Sequence, residues 1–299
     1  MRLKNFTLLI IMLMALGSCS VSKKTVTYEP WPNALLWEVT GKNLKSPSYV
    51  FGTIHLINKE DFFYPEALKS SLSSTDQIYF EIDIEEMMDL SSQMDLMSKA
   101  FMNDGQTIKD LLTEDEYGEL QDYFKEMGLP LFFFERLKPM FLTVLTSLDG
   151  NMEEMKNTTT SYEFELLALA KNSNMDVGGL ETMDFQIGLF DSIPYSEQAQ
   201  MLMESIRAQS GENNELDELA KIYVEQNIEA MVSTISADEQ LGKYEALLVN
   251  TRNKNWIPSM EELMVKSPTF FAVGAGHLAG EEGVLNLLKQ SGYKLKPLK

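Results

Sequence analysis

The feature that most constrains the fold of this chain is a pair of matching motifs near its two ends. The first reads YVFGTIH over residues 49–55 and the second reads FFAVGAGH over residues 270–277. Each is an apolar, strand-like run followed by G-x-x-H, and His55 and His277 are the only two histidines among 299 residues. Because strand-like runs lie at both ends and helical spacing lies between them, we expect one sheet built from both ends of the chain.

Short runs rich in aromatic and β-branched residues predict the strands. These runs cover residues 35–39, 48–54, 77–83, 175–180, 268–274 and 293–298. Helical spacing predicts helices over residues 65–74, 84–103, 113–127, 134–148, 161–172, 196–208, 216–230 and 240–255. Strands separated by helices need crossover connections. We therefore predict an α/β fold of mixed α+β character, with a central mixed, largely parallel sheet and a large inserted helical lobe.

The domain prediction follows from the same pattern. Residues 34–299 are expected to form a single domain, with helical insertions at about residues 85–172 and 185–265. Residues 19–33 are polar and contain two prolines, which is typical of a tether.

The first eighteen residues predict a secretory signal. Arg2 and Lys4 precede an apolar run over residues 6–16, which is shorter than the ~20 residues that a permanent membrane helix needs. The run ends in LGSC at residues 16–19, which resembles the lipobox of bacterial lipoproteins, where the chain is cut before the cysteine and the thiol is acylated. We therefore expect a lipidated Cys19 that anchors the protein to a cell-envelope membrane, facing the periplasm or the exterior. A plain secretory signal with a chance cysteine is the alternative.

Composition excludes several classes of function. Lys and Arg number 25 and Asp and Glu number 45, so the net charge is −20, which argues against a nucleic-acid partner. A single cysteine excludes a disulfide framework, a CxxC redox site and a structural zinc cluster. The sequence contains no HExxH, GxSxG, Walker A or GxGxxG motif, so nothing supports a serine or cysteine nucleophile.

Two glutamates at predicted strand ends accompany the histidines. Glu81 lies near the end of the third predicted strand, and Glu181 directly follows the fourth. The carboxyl ends of parallel strands meet at one edge of an open sheet, where ligands bind. Each group alone is more often a hydrogen-bonded or ion-paired structural residue. Together, His55, His277, Glu81 and Glu181 predict a divalent-metal or acid–base site.

The chain resembles the TraB/GumN family through motifs that follow one another in colinear order from about residue 33 to the end. The motifs are LLWEV (35–39), FGTIH (51–55), FEID (80–83), GLET (179–182) with Gln186, RN (252–253) with Trp256, and AVGAGHL (272–278). That family includes the Tiki proteins, which are metal-dependent proteases favouring manganese or cobalt, and pheromone-shutdown proteins. The resemblance implies a fold similar to the erythromycin esterases and a group of haem-binding lipoproteins.

The resemblance also implies which residues form the active site. His55 and His277 correspond to the motif histidines, Glu81 to the strand-end glutamate, and Glu181 and Arg252 to the other polar signature residues. We therefore predict a membrane-anchored, metal-dependent hydrolase that acts on a peptide or protein substrate.

The roles of these residues follow from the chemistry of hydrolysis. His55, Glu81 and His277 would hold a divalent ion. The resemblance favours manganese or cobalt over zinc, although the ligand types suit all three. Glu181 would be the general base, with Glu81 able to exchange roles with it. Arg252 would bind a substrate carboxylate or the developing oxyanion, and Asn253 beside it is expected to contact the substrate.

Two alternatives from other classes of protein stay open. The first is a non-catalytic haem or metal carrier with a histidine as axial ligand. The second is a lipoprotein that sequesters a peptide without cutting it.

Overall fold

The computed structural model describes residues 28–146, 157–209, 215–237 and 241–299. The predicted signal, Cys19 and the first part of the predicted tether lie outside the described residues. Within those four ranges, the structure has no helix that is both long and apolar enough to span a membrane.

A six-stranded sheet forms the centre of the molecule, with the strands in the order β6-β4-β7-β2-β1-β8. The strands are β1 (Leu36–Thr40), β2 (Ser48–Thr53), β4 (Gln77–Ile82), β6 (Asp176–Glu181), β7 (Thr269–Gly274) and β8 (Lys294–Leu298). Each bound lies within one residue of its predicted position, so the strand predictions are confirmed. The sheet is mixed and mostly parallel, and both ends of the chain contribute to it, as predicted.

Four strands run parallel and therefore end at the same edge. Strand β7 lies between β2 and β4, and β6 pairs with the far side of β4. Thr53 is opposite Gly274 in the β2–β7 pair, and Ile82 is opposite Glu181 in the β4–β6 pair. Strands β2 and β7, which precede His55 and His277, are thus direct neighbours, as predicted.

A second, two-stranded ribbon lies beside this edge. Strand β3 (Ile57–Asn58) pairs antiparallel with β5 (Thr159–Thr160). This ribbon was not predicted, because strands of two residues have no periodicity to detect.

Helices fill most of the remaining described chain. They are α1 (Leu68–Ser73), α2 (Ile84–Met88), α3 (Leu90–Lys99), α4 (Glu114–Glu126), α5 (Pro139–Thr146), α6 (Tyr162–Asn172), α7 (Met183–Phe190), α8 (Tyr195–Gln209), α9 (Glu215–Val224), α10 (Ile228–Ala237), α11 (Leu241–Glu245), α12 (Thr251–Lys266) and α13 (Val284–Gln290). A π-helical turn over Ala246–Asn250 joins α11 to α12.

The helix predictions are correct in place but wrong in several bounds. The predicted helix over residues 84–103 is divided at Asp89, whose side chain accepts from the backbone N–H of Ser91 and Ser92 and so begins a new helix. The last predicted helix covers residues 240–255, whereas the structure has α11, the π-helical turn and α12, which continues through Pro258 to Lys266. Its buried face, which includes Trp256 and Met260, outweighs the local cost of a proline in the helix interior.

The buried apolar residues of the described ranges form two hydrophobic cores. The main core packs helices against the sheet and includes Trp37, Phe51, Phe80, Tyr162, Trp256, Phe270 and Phe271. The second core lies within the helical segments and includes Leu120, Phe124, Leu131, Leu142, Leu202 and Ile206. Helices α6 and α12 belong to the main core, and so their side chains reach the sheet.

Candidate active site at the strand ends

Arg252 lies buried between the two strand-end carboxylates. Its Nη2 is 2.5 Å from Oε2 of Glu81 and 2.6 Å from Oε1 of Glu181, and its Nε donates to the latter oxygen at 2.9 Å. Its Nη1 donates to the carbonyl oxygen of Leu248 in the π-helical turn, at 3.1 Å. Because burying an unpaired charge is costly, this cation is what allows two carboxylates to be buried side by side.

Glu81 is held ionised at the end of β4. Its Oε1 accepts from the backbone N–H of Gly274 at 2.8 Å. Burial opposes ionisation, but the permanent charge of Arg252 and the hydrogen bond from the Gly274 N–H outweigh it and hold the pKa of Glu81 well below its usual range. A Cβ at Gly274 would lie 3.2 Å from Oε1, so the glycine lets the carboxylate approach the strand.

Glu181 uses both of its oxygens in contacts with this chain. Besides Arg252, its Oε1 accepts from Nε2 of Gln186 at 3.3 Å, and its Oε2 accepts from Nε1 of Trp256 at 2.9 Å. The side chain is only 5% exposed. In this arrangement Glu181 orients Arg252 and Trp256; its role as general base stays a prediction, and so does substrate binding by Arg252.

His277 is buried with its tautomer fixed by Asn253. The amide Nδ2 of Asn253 donates to the carbonyl oxygens of Glu282 at 2.9 Å and His277 at 3.4 Å, so its Oδ1 faces the ring. Nδ1 of His277 lies 2.7 Å from that Oδ1 and must carry the proton. The lone pair is therefore on Nε2, which is 3.2 Å from Arg252 Nη1 and 3.7 Å from Glu81 Oε1. Burial lowers the pKa of His277 to about 4, so the ring is neutral.

This contact gives Asn253 a role different from the predicted one. We expected Asn253 to contact the substrate, whereas its side chain is fully buried and holds His277. The substrate contact stays a prediction.

His55 lies at the rim, with a side chain that is 77% exposed. Its Nδ1 is 2.9 Å from Oε1 of Glu163, a residue in the first turn of α6. This hydrogen bond raises the pKa of His55 to about 9. Glu163 could not be predicted from the sequence, because a glutamate in the first turn of a helix is common and its contact with His55 spans 108 positions.

His55, His277 and Glu81 are residue types that bind divalent ions, but their side chains do not surround a common point. Nδ1 of each histidine is hydrogen-bonded, so Nε2 is the nitrogen that could bond a metal, and Glu81 is ionised, as a ligand must be. On His55, whose pKa is raised to about 9, an ion would displace a proton from Nε2. However, within the part of the chain that the structure describes, no three His, Cys, Asp or Glu side chains surround a common point. That His55, Glu81 and His277 hold an ion therefore stays a prediction; in this structure Arg252 neutralises the carboxylates and lies against Nε2 of His277.

A cavity of about 280 Å³ lies beside the loop that contains His277. Its lining includes Gly276, Gly280 and the three carboxylate residues Glu245, Glu281 and Glu282. The volume is at the lower end of those of ligand pockets.

Comparison with known proteins identifies relatives of this chain. The model of the TraB/PrgY/gumN family matches residues 35–297. Metalloprotease TIKI2 of Danio rerio is 23% identical over 88% of this chain and 61% of its own length. Metalloprotease TIKI1 is 24% identical in both Homo sapiens, over 88% of this chain and 62% of its own, and Xenopus tropicalis, over 93% and 63%. The chain thus spans about three fifths of the length of these curated relatives. No solved structure matches the chain, so the likeness to the erythromycin esterase fold stays a prediction.

Proposed function

The chain belongs to the TraB/PrgY/gumN family, and on that premise we propose that it is a metal-dependent hydrolase that cleaves peptide bonds. Its relatives at 22–24% identity are named metalloproteases. That identity is low and the chain covers only part of their length. The proposal for this chain therefore rests on the residues and geometry of its own site.

One observation carries the proposal. At the edge where four parallel strands end, each of the only two histidines has its Nδ1 bonded to a fixed oxygen, from Asn253 in one case and Glu163 in the other. Metal-binding histidines usually have this support, because it fixes the ring and leaves the second nitrogen for the ion. A buried, ionised Glu81 beside His277 completes a donor set of the right chemistry.

We propose that His55, His277 and Glu81 hold the divalent ion, with manganese or cobalt favoured over zinc. Such an ion would supply a water activated at neutral pH and polarise the carbonyl of the substrate. Ligation would take Glu81 from Arg252, which keeps Glu181 as its partner.

The remaining residues of the site act on charge and protons. Arg252 is permanently charged and would stabilise negative charge that develops on the substrate. Glu181 is the second carboxylate beside Arg252 and would accept the proton as general base, kept oriented by its hydrogen bonds to Gln186 and Trp256. The buried ring of Trp256, 4.6 Å from that of His277, excludes water from the inner side of the site.

Digestion of a peptide library tests the proposal. Chelation should abolish cleavage, and manganese or cobalt should restore it. Glu81→Gln should lose metal and activity together, whereas Glu181→Gln should keep the metal and lose about 10²–10⁴-fold in rate, as expected for a missing base. Cleavage that is unchanged by chelation, or full activity in both variants, would contradict the proposal. Tight binding of peptides without cleavage by the metal-loaded protein would support the sequestering alternative instead.

We also propose that the protein acts from a membrane surface of the cell envelope, through lipid on Cys19. The motif LGSC after a short apolar run supports this.

A further inference from the structure

We propose that Glu163 is the positioning residue of His55, an inference that rests on the proposed metal-dependent function. The carboxylate accepts the Nδ1 proton of His55 and so leaves Nε2 as the ring nitrogen that bonds the divalent ion.

Three donors converge on this carboxylate. Oε1 accepts from Nδ1 of His55 at 2.9 Å and from the hydroxyl of Thr53 at 2.7 Å. Oε2 accepts from the hydroxyl of Ser161 at 2.6 Å. The Glu163 side chain is only 16% exposed, although the ring that it holds is mostly in solvent. The carboxylate is therefore fixed from the protein side, and His55 is the one donor of the three that faces outward.

The chain brings these two residues together with a dedicated element. His55 lies two residues before β3, and Glu163 lies three residues after β5. The β3–β5 pairing, with Ile57 opposite Thr160, places the two segments side by side although they are about a hundred positions apart. So short a ribbon adds little stability by itself. Its clearest consequence is the contact between His55 and Glu163.

Ser161 contributes to this arrangement at a cost to its own helix. It is the N-cap residue of α6, yet its side chain makes no capping hydrogen bond to the backbone. By contrast, Thr113 and Thr182 cap their helices in the usual way. A missing cap destabilises the start of a helix. The Ser161 hydroxyl is instead directed to Glu163, which indicates that the local structure favours holding the carboxylate over capping the helix.

The environment also keeps Glu163 negatively charged. The hydroxyls of Ser161 and Thr53 and Nδ1 of His55 all donate to this carboxylate, which favours its ionised form despite its burial. Its place in the first turn of a helix favours negative charge as well. A carboxylate makes the histidine that it holds a stronger metal ligand than a neutral amide does. Glu163 thus accepts the Nδ1 proton of His55 as Asn253 accepts that of His277, and it raises the basicity of the imidazole more than the amide does.

A titration with Mn²⁺ of the chelated, full-length protein tests the proposal. Glu163→Gln keeps the shape of the side chain but removes its charge, and should weaken Mn²⁺ binding about 10–100-fold. The matched control is Glu165→Gln, two residues along the same helix, whose carboxylate accepts from the Thr160 hydroxyl and not from His55. This control should bind Mn²⁺ as the wild type does. If Glu163→Gln does not fold, Ser161→Ala removes one donor from the carboxylate and should weaken binding by a smaller factor.

A second readout needs no metal. The chain has two histidines, so the ring ¹⁵N spectrum contains two sets of signals, and His55→Gln identifies one of them by its loss. In Glu163→Gln the Nδ1 signal of His55 should move and that of His277 should not, whereas Glu165→Gln should move neither.

The outcomes separate the proposal from the function on which it rests. An unmoved Nδ1 signal of His55, or equal Mn²⁺ affinity in the Glu163→Gln variant and the wild type, would overturn the positioning role alone. Failure of the wild type to bind Mn²⁺ or Co²⁺ would refute the metal-dependent function, and with it the ligand role of Nε2, even if the ring signal moves.

Discussion

At the scale of single residues, the site depends on hydrogen bonds that fix proton positions. Asn253 shows this most clearly, because its two donors are both used by backbone carbonyls and only its oxygen is left for His277. The identity of the neighbouring side chain thus decides which nitrogen of the ring carries the proton and which carries the lone pair. The contact between Asn253 and His277 exists only in the folded chain. The sequence motif that contains Arg252 and Asn253 therefore indicates that these residues matter, but it does not show what they contact.

Removing Asn253 should therefore weaken the metal site. Asn253→Leu keeps the approximate volume but leaves the Nδ1 proton of His277 without an acceptor, which costs about 1–3 kcal/mol of stability and should weaken Mn²⁺ binding about 10–100-fold. Asn286→Leu is the matched control, since Asn286 is also buried and donates to a nearby carbonyl, that of Glu281. Calorimetric titration of both variants checks this. Equal Mn²⁺ affinity in the two would contradict the role given to Asn253.

The two histidines should give the metal-free protein opposite dependences of stability on pH. The pKa of His277 is lowered to about 4, so between pH 6.5 and 4 the unfolded chain takes up a proton that the folded chain does not. Stability is then lost as the pH falls through this range, by roughly 3 kcal/mol. The pKa of His55 is raised to about 9, so its contribution is fully present below pH 6.5 and is lost as the pH rises to 9.

Urea unfolding across pH in the presence of a chelator measures both effects. His277→Gln should flatten the acid side of the stability curve and His55→Gln the alkaline side. Curves for the two variants that run parallel to that of the wild type would show that these pKa shifts do not exist in the folded chain.

At the scale of elements, the sheet could be predicted because its strands carry their own pattern. Strands β1, β2, β4 and β7 are short runs rich in apolar residues, and the need for crossover connections between separated strands indicates parallel pairing. The β3–β5 ribbon and Glu163 could not be predicted, because two-residue strands and a first-turn glutamate look ordinary until the chain is folded. Arg252 pairs with Glu181, which lies 71 positions earlier in the chain, and with Glu81, which lies 171 positions earlier. The pattern of charges in the sequence does not select these partners.

The G-x-x-H motif itself is an element-scale feature, because its glycine allows close packing of neighbouring segments. A Cβ at Gly52 would lie 2.7 Å from Cδ1 of the buried Leu278 and 3.1 Å from Cα of Ala275, in the segment that follows β7. Gly52→Ala should therefore destabilise the protein by about 1–3 kcal/mol. Gly118→Ala, where nothing lies within 4 Å, should instead stabilise helix α4 by about 0.5–1 kcal/mol. Denaturant unfolding checks the pair, and a neutral Gly52→Ala would contradict the packing argument.

At the scale of the whole molecule, the two ends of the chain meet in one sheet, while the middle contributes a second core. Strands β2 and β7 bring the two histidines to one edge, and α12 carries Arg252 and Asn253 to the same edge. The sequence motifs predicted this meeting. What they did not predict is the arrangement of the carboxylates around Arg252, which gives the site a cation of its own.

The proposed anchor is tested at the same scale. Cys19→Ser should move the protein from the membrane fraction to the soluble fraction, because a serine cannot take the lipid that holds it there. Fractionation in carbonate and in high salt measures this. A variant that stays with the membrane would contradict lipid anchoring at Cys19.

The most direct test of the account is the stoichiometry of Mn²⁺ binding to the chelated protein, measured by calorimetry for the wild type, His55→Gln and His277→Gln. We expect one ion per chain in the wild type and a loss of that binding in each variant, although the two residues lie 222 positions apart. Binding with unchanged stoichiometry and affinity in both variants would contradict the claim that these two histidines form one metal site.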